Sequence, residues 1–168
     1  QPDYDPKVAE RSEEMVEYVK VAINSALSEG AIRVSGTLQA RARETVLLTS
    51  GGARGRDRGT SLLLNVRAFY NGSASGHGLS CTSTLQDFEA NKAGRTAGRY
   101  AKESADPKEL AEGVYDVILS HTVSADILQH VGEFASAFAV ESGYSFLVEK
   151  VGQRVASDIL TLTDVGVT

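Results

Sequence analysis

Two side chains on one predicted helix have the chemistry of a hydrolytic site. His130 and Glu133 lie three residues apart, so a helix would place both on the same face. A histidine and a glutamate arranged in this way can act as a metal ligand and a general base. A catalytic zinc site needs at least three protein ligands, and this helix has no second histidine. The pair is therefore a candidate catalytic site, and a histidine packed against its neighbours is the simpler interpretation.

A second histidine lies near the single cysteine of the chain. His77 and Cys81 are four residues apart in a segment that is predicted to be a strand. Residues at this spacing in a strand lie about 13 Å apart, which is too far for one ion to share. We therefore predict an exposed histidine and a half-buried cysteine rather than a metal or thiolate site.

The stretch from Gly51 to Gly59 contains four glycines and three arginines. Glycines expose backbone amides and arginines bind phosphate or carboxylate, so the composition of this stretch suits an anion site. The stretch lacks the lysine and hydroxyl of a P-loop, and its flanks resemble two strands rather than a strand and a helix. The sequence favours a solvated hairpin loop without regular structure.

Charge and composition exclude several classes of protein. The chain has 168 residues, 42% of them hydrophobic and 23% charged, which is typical of one globular domain or two small ones. Its net charge of -5 argues against a broad phosphate-binding surface, so we predict no direct contact with nucleic acid. Glu13, Glu14 and Glu17 form an acidic helix face that is most simply a solvated surface.

The cysteine content and the hydropathy pattern predict a cytoplasmic location. Cys81 has no partner for an internal disulfide, which fits a reducing compartment. No apolar run approaches the roughly 20 residues that cross a bilayer, and the segment from Gln1 to Pro6 is unlike a signal peptide. The chain begins without methionine and ends after a strand-like run, so both ends are expected to be cuts in a longer protein.

A long helix is predicted at the N-terminus. Asp5 can cap the free amides of a helix start, and Pro6 lacks the donor that would be unsatisfied there. Apolar residues then recur at helical spacing as far as Leu27, and Gly30 supplies a left-handed stop. The predicted helix spans about residues 7–29.

Strands follow this helix. β-Branched residues between 32 and 49 predict strand with an irregularity near Ser35–Gly36, and apolar residues alternate clearly from 60 to 70. Asn71–Gly72 is the preferred pair for a type I′ turn, so a return strand is expected over about 74–84.

The second half of the chain is predicted to contain two helices and short strands. The helices span 91–104 and 123–140, and the strands span 114–120, 146–148 and 159–162. Together these elements predict an α+β fold with a mostly antiparallel sheet and packed helices. We expect one domain over 1–112 and the start of another over 113–168.

Several motifs occur in the same order as in one known family. They are Thr49–Gly52, Thr60–Ser61, Gly113–Ser120, Ser145–Leu147, Val151–Ser157 and Leu160–Asp164. In residue types and order they resemble the middle portion of TldD/PmbA family proteins, a family that comprises metallopeptidases and is also labelled as modulator of DNA gyrase. The matches span residues from about 32 to 166, and their common order makes them more specific than any single motif.

The resemblance implies a role in peptide hydrolysis. TldD-type members carry a His-Glu-x-x-x-His helix and a later cysteine that hold zinc, and they cleave unfolded or leader-bearing peptides. The similar helix here spans Leu128–Ser136 and lacks the two-histidine pattern, so the chain resembles the non-metal PmbA branch. His130 is the one position that carries over from that branch.

On this resemblance the chain itself holds no cofactor. Zinc would lie in a TldD-like partner, within a heterodimer, or the chain would form a homodimer. Whether this chain is itself an enzyme stays open, because the family is hydrolytic but the zinc motif is absent. The alternatives are a regulatory binding protein of the gyrase-modulator type and a scaffold without activity.

Overall fold

The computed structural model describes residues 3–10 and 13–163 and divides the chain into two compact units. The first unit is Gln1–Leu110 and the second is Ala111–Thr168. Among its described residues the first unit contains three helices and a three-stranded antiparallel sheet in the order β1-β2-β3. The α+β class with an antiparallel sheet and packed helices is therefore confirmed. No helix in the described part of the chain has the length and apolar character that a bilayer span requires.

Two helices are described where the sequence predicted one. Helix α1 spans Pro6–Glu10 and helix α2 spans Glu14–Ser28, while residues 11 and 12 lie outside the described part. Asp5 caps α1 as expected, because its carboxylate accepts a hydrogen bond of 2.9 Å from the amide of Lys7. The predicted helix over 7–29 is therefore confirmed in two described segments, with Glu13 as a turn residue before the second. Helix α1 contacts the strands, and α2 packs mainly against a third helix.

The first two strands pair without interruption. Strand β1 spans Arg33–Leu48 and β2 spans Arg54–Phe69, with β1 residues opposite β2 residues along the full length of both. The irregularity predicted at Ser35–Gly36 is therefore absent from this ladder. The predicted loop from 51 to 59 was also largely wrong, because residues from Arg54 onward are strand. Cross-strand pairing to β1 holds Gly55 and Gly59 in an extended conformation.

The hairpin at Asn71 is confirmed, but its turn type is not. Strand β3 spans Ser75–Thr82 and pairs antiparallel with β2. Neither Asn71 nor Gly72 has a positive φ, so the turn is not type I′. The Asn71 side chain instead accepts hydrogen bonds from the amides of Ser73 and Ala74, at 3.1 and 2.6 Å. In this Asx-type turn the asparagine side chain accepts the hydrogen bonds of the loop amides, and no left-handed backbone is needed.

The core of the first unit lies between the sheet and the helices. Alternate β2 residues are buried, namely Leu62, Leu64, Val66 and Ala68, as the strand periodicity predicted. Helix α3 spans Ala90–Glu103, close to the predicted 91–104, and covers this face with small residues. A Cβ atom added at Gly78 of β3 would overlap the carbonyl of Ala93, and one at Gly94 would overlap the carbonyl of Ala22 in α2. Glycine and alanine thus allow close packing of β3, α3 and α2.

The second unit contains helices but no strand among its described residues. Helix α4 spans His121–Phe134 and α5 spans Ala137–Glu141, so the predicted helix over 123–140 is interrupted. The interruption has a local cause, because the Ser136 hydroxyl accepts a hydrogen bond from the amide of Ala139 and starts a new helix. The strands predicted over 114–120, 146–148 and 159–162 were wrong. Strand needs a paired neighbour, and this unit offers none within the described residues.

Candidate functional site

Helix α4 positions the two predicted site residues on one face. The helix begins with a cap in which the Ser120 hydroxyl accepts a hydrogen bond of 3.4 Å from the amide of Val123. Two turns further on, His130 Nδ1 lies 3.4 Å from Glu133 Oε2. The prediction that spacing places this histidine and this glutamate together is confirmed.

Both side chains of this pair are open to solvent. The side chain of His130 is 71% exposed and that of Glu133 is 58% exposed. Glu133 Oε1 also accepts a hydrogen bond of 3.0 Å from Gln129 Nε2, so the carboxylate is held between two side chains of its own helix. No residue of α4 is buried. The interpretation of His130 as a packed histidine is therefore wrong for this unit, and its catalytic role stays a prediction.

The pair does not by itself fit a zinc ion. It offers one imidazole and one carboxylate, and a catalytic zinc site takes three protein ligands. Within residues 3–10 and 13–163, no group of three or more histidine, cysteine, aspartate or glutamate side chains is arranged to hold a metal. What the α4 pair can do alone is hold or move a proton between the imidazole and the carboxylate.

His77 and Cys81 lie on the face of the sheet that is turned away from the helices. His77 Nε2 lies 2.7 Å from the side-chain oxygen of Asn65 on the neighbouring strand. Cys81 is on the same strand and is exposed, which corrects the half-buried position that the sequence predicted. His77 is exposed as predicted, and its hydrogen bond to an amide side chain gives it no link to the thiol.

Two of the three arginines in the glycine-rich stretch are paired within the sheet. Arg56 and Arg58 both donate hydrogen bonds to the Glu44 carboxylate, one to each oxygen. The bond from Arg56 is the main cause that lowers the pKa of Glu44, although desolvation acts in the opposite direction. The same bond raises the pKa of Arg56. These two guanidinium groups therefore neutralise a glutamate of the chain rather than form a vacant anion site.

The N-terminal segment is tied to the end of β3 through a junction that the sequence did not reveal. Asp5 donates from its amide to the Thr60 hydroxyl, at 2.8 Å, and its carboxylate accepts from the amide of Leu85, at 2.9 Å. The buried Thr60 hydroxyl donates in turn to the carbonyl of Ser83. The Leu85 amide is the main cause that lowers the pKa of Asp5. The capping motif predicted the Asp5–Lys7 contact, but no local signal predicted partners so distant in sequence.

Comparison with known proteins covers nearly the whole chain. The family model of the PmbA/TldA metallopeptidase central domain matches residues 3–105, and that of the PmbA/TldA metallopeptidase C-terminal domain matches residues 112–168. No curated protein matches the sequence significantly.

Two solved structures are similar in fold. One is a proposed modulator of a DNA gyrase from Thermotoga maritima, with 20% identity and a TM-score of 0.81, and the match covers 89% of this chain and 36% of that one. The other is a proposed modulator of DNA gyrase from Bacteroides thetaiotaomicron, with 22% identity and a TM-score of 0.77, covering 94% and 38%. The chain thus spans little more than a third of the length of either protein.

Proposed function

The chain belongs to the PmbA/TldA metallopeptidase family, and we propose that it is the non-metal, PmbA-like subunit of a peptide-processing pair. The family predicted from the motif order is confirmed, because the two domain models together match residues 3–105 and 112–168. The proposal concerns what this member does within the family: zinc is held by a TldD-like partner, and this chain supplies part of the partner and substrate surface.

The observation that carries the proposal is the donor set of the segment over 128–136, which includes the end of α4. In this segment, which resembles the zinc helix of TldD-type members, His130 is the single histidine and Glu133 is the single acidic residue. Two donors fall short of the three that a catalytic zinc requires. A chain with this segment would act by shaping the complex and contacting the peptide, and His130 and Glu133 would be a polar pair on α4 that makes that contact.

Exposed apolar side chains in the second unit support a role in partner binding. Val114, Ile118, Phe138 and Val151 are all more than half exposed, although such residues are normally buried. Large exposed apolar sets mark interaction surfaces in folded proteins. A TldD-like subunit, or a second copy in a homodimer, would cover part of this surface. Unfolded or leader peptides would supply apolar side chains of their own to the remainder.

The test uses the full-length protein, purified alone and together with a TldD-like subunit. Reducing buffer is used, because the proposal places the protein in the cytoplasm. We expect the pair to contain zinc by elemental mass spectrometry and to cleave an unfolded peptide, and the full-length protein alone to do neither. A His130→Ala variant of this chain should leave the zinc content of the pair unchanged. The proposal fails if the pair has neither zinc nor peptidase activity, or if this chain alone binds zinc that His130→Ala removes.

The descriptions of the two solved neighbours favour a second candidate, a regulatory protein that binds gyrase. Such a protein would bind gyrase subunits in a pull-down assay without cleaving peptide. The net charge of -5 predicts that it would not contact DNA directly. A DNA titration at several salt concentrations distinguishes these modes, since direct phosphate contact produces a steep fall in affinity with salt.

A further inference from the structure

The face of the sheet that is turned away from the helices carries cations and no carboxylate. This outer face is formed by alternate residues of 33–41 in β1, 61–69 in β2 and 75–81 in β3, which pair in one continuous register. The three ranges contain three arginines and one histidine, and they contain no aspartate or glutamate. The chain as a whole has a net charge of -5. The outer face is therefore a locally positive surface on an acidic protein.

Arg33 and Arg67 lie at one end of the outer face, and we call them the arginine pair. The guanidinium group of Arg33 lies 4.1 Å from the centre of the Phe69 ring, in a cation–π contact. Arg67 Nη2 donates a hydrogen bond of 2.9 Å to the hydroxyl of Ser75, the residue opposite Phe69 on β3. Neither arginine lies within ion-pair distance of a carboxylate in residues 3–10 and 13–163. Since a guanidinium group has five N–H donors, both keep donors for an anion that comes from elsewhere.

The spacing of the arginine pair matches that of an extended peptide. Arg33 is opposite Phe69 in the ladder, and Arg67 is two residues from Phe69 on the same strand. The pair are therefore diagonal neighbours, about 7 to 8 Å apart. Alternate residues of an extended chain point to the same side and lie about 6.6 to 6.8 Å apart. Carboxylates at alternate positions of one peptide thus match both guanidinium groups, each of which binds a carboxylate through paired hydrogen bonds.

A polar cleft adjoins the arginine pair in the middle of the outer face. The cleft is open and has a volume of about 370 Å³, and its lining includes Ser35, Thr37, Asn65 and His77. The last two are joined by a contact of 2.7 Å between His77 Nε2 and Asn65 Oδ1. Hydroxyl and amide groups of this kind form hydrogen bonds with neutral polar groups, including a peptide backbone. The cleft therefore suits the uncharged residues that adjoin an acidic pair.

The same face is a poor match for nucleic acid. Tight binding to a phosphate backbone needs several cations along the strand. Here Arg41 lies about 26 Å from Arg33 along β1, at 3.3 Å per residue, so the cations do not form a continuous row. Single-stranded nucleic acid also stacks its bases on aromatic side chains. Phe69 is the single Phe, Tyr or Trp of the three strand ranges, and Arg33 already lies over its ring. The charge and the spacing favour a peptide.

We propose that the outer face binds an extended acidic peptide segment through the arginine pair. Two Asp or Glu side chains at alternate positions pair with Arg33 and Arg67, and neighbouring neutral residues lie in the polar cleft. The inference rests on the proposed function in taking the ligand to be a peptide, and it deepens that function by naming the chemistry of the segment. Binding at this face needs neither zinc nor cleavage, so it is measured on this chain without a partner.

Fluorescence anisotropy with the full-length protein alone tests the chemistry of the peptide. The probe is a short labelled threonine-rich peptide that contains Glu-Thr-Glu, and two control peptides carry Gln-Thr-Gln or Glu-Glu-Thr at the same place. The Gln-Thr-Gln peptide should bind about tenfold more weakly, because each exposed ion pair contributes about two- to fivefold in affinity. The Glu-Glu-Thr peptide should also bind more weakly, since adjacent side chains of an extended chain point to opposite sides.

Substitutions in the arginine pair test the protein side of the contact. Arg33→Gln and Arg67→Gln should each weaken binding of the Glu-Thr-Glu peptide by about two- to fivefold. Arg41→Gln is the matched control, because it removes the same charge from the far end of the same face and should change the affinity by less than about twofold. The double variant Arg33→Glu and Arg67→Glu should bind a Lys-Thr-Lys peptide more tightly than wild type does. A general loss of structure would not produce that gain.

Three results would overturn the proposal. They are a Glu-Thr-Glu peptide that binds no more tightly than the Gln-Thr-Gln peptide, arginine-pair variants that bind the peptide as wild type does, and a single-stranded oligonucleotide that displaces the peptide at a lower concentration than unlabelled peptide. If one of these occurs while the pair of subunits cleaves peptide, this site is lost and the proposed function stands. If the pair has neither zinc nor activity while this chain still binds the acidic peptide, the reverse holds.

Discussion

The two units of this protein differ in how their apolar residues are used. In the first unit, Leu62, Ala97 and the rest of the buried cluster lie between a sheet and the helices that cover it. In the second unit Ser145 is the one buried residue among those described, and Val114 and Ile118 are almost fully exposed. The first unit has a core of its own, and the described residues of the second have none.

The difference indicates two sources of stability. The first unit is joined by contacts between distant residues, such as the bond from Leu85 to Asp5. The second unit is held by local hydrogen bonds, including the caps at Ser120 and Ser136. Isolated helices of fewer than about 12 to 15 residues are marginal in water, and α4 has 14 residues. The helix that carries His130 should therefore need a covering surface to be fully formed.

Leu62→Ala tests this contrast with the largest expected effect. Leu62 is fully buried, so its truncation should lower the free energy of unfolding of the first unit by about 2 to 5 kcal/mol. The equivalent truncation Ile118→Ala in the second unit should change stability by less than about 0.5 kcal/mol, because the side chain is exposed. Urea denaturation followed by circular dichroism measures both. Similar losses for the two variants would contradict the contrast between the units.

Gly78→Ala should have the next largest effect. The added methyl group would overlap the carbonyl of Ala93, so α3 must shift away from β3 at a cost of about 1 to 3 kcal/mol. Gly72→Ala is the control, because nothing lies within 4 Å of a Cβ at that position and its φ is not positive. Thermal melts of the two variants provide the measurement. Equal melting temperatures for Gly78→Ala and Gly72→Ala would contradict the close contact between β3 and α3.

Ser120→Ala should affect the second unit alone. Loss of the cap on α4 costs about 1 kcal/mol of helix stability, and no tertiary contact of the first unit changes. We expect weaker amide protection in α4 by hydrogen exchange and an unchanged melting transition of the first unit. Ser124→Ala, in the same helix but without a capping role, is the matched control. A lower melting temperature of the first unit would count against independent units.

Acid should lower the stability of the first unit by protonating Asp5. This is the smallest of the four expected effects. The folded-state pKa of Asp5 is lowered from 3.8, mainly by the Leu85 amide, so the unfolded chain binds the proton more tightly. This contribution to stability is present above pH 3.8 and is lost as pH falls through the lowered pKa. An Asp5→Asn variant should lose less stability than wild type over this acid range in urea titrations. Identical acid profiles for Asp5→Asn and wild type would remove Asp5 from the account.

The sequence predicted the elements that are determined by neighbouring residues and missed those that depend on pairing with residues distant in the chain. The alternation from Leu62 to Ala68 and the turn-forming Asn71 were sufficient to predict β2 and the hairpin. Gly55 and Gly59 were predicted as loop because their extended conformation depends on pairing with β1, which composition does not reveal. The strand predicted over 114–120 failed for the opposite reason, since its apolar pattern suits a strand but the described part of its unit offers no partner strand.

The candidate site was predicted in part. Helical spacing was sufficient to place His130 beside Glu133, and the structure has the two side chains 3.4 Å apart. Their exposure was not predictable, because the apolar spacing of Ile127, Val131 and Phe134 indicates a helix face that is buried. No residue of α4 is buried, although Phe134 contacts the ring of Phe146 in the same unit. Whether a helix side chain is covered depends on tertiary and quaternary contacts, and the spacing of residues within the helix does not predict those contacts.

Hydrogen exchange on the 168-residue chain in isolation tests the contrast between the units most directly. Amides of β2 and α3 should exchange at the slow rate of global unfolding, and amides of α4 should exchange orders of magnitude faster, because the helix relies on local bonds. Addition of a partner that covers the second unit should slow α4 selectively. Equal protection of α4 and β2 in the isolated chain would contradict the account, since the second unit would then be as stable by itself as the first.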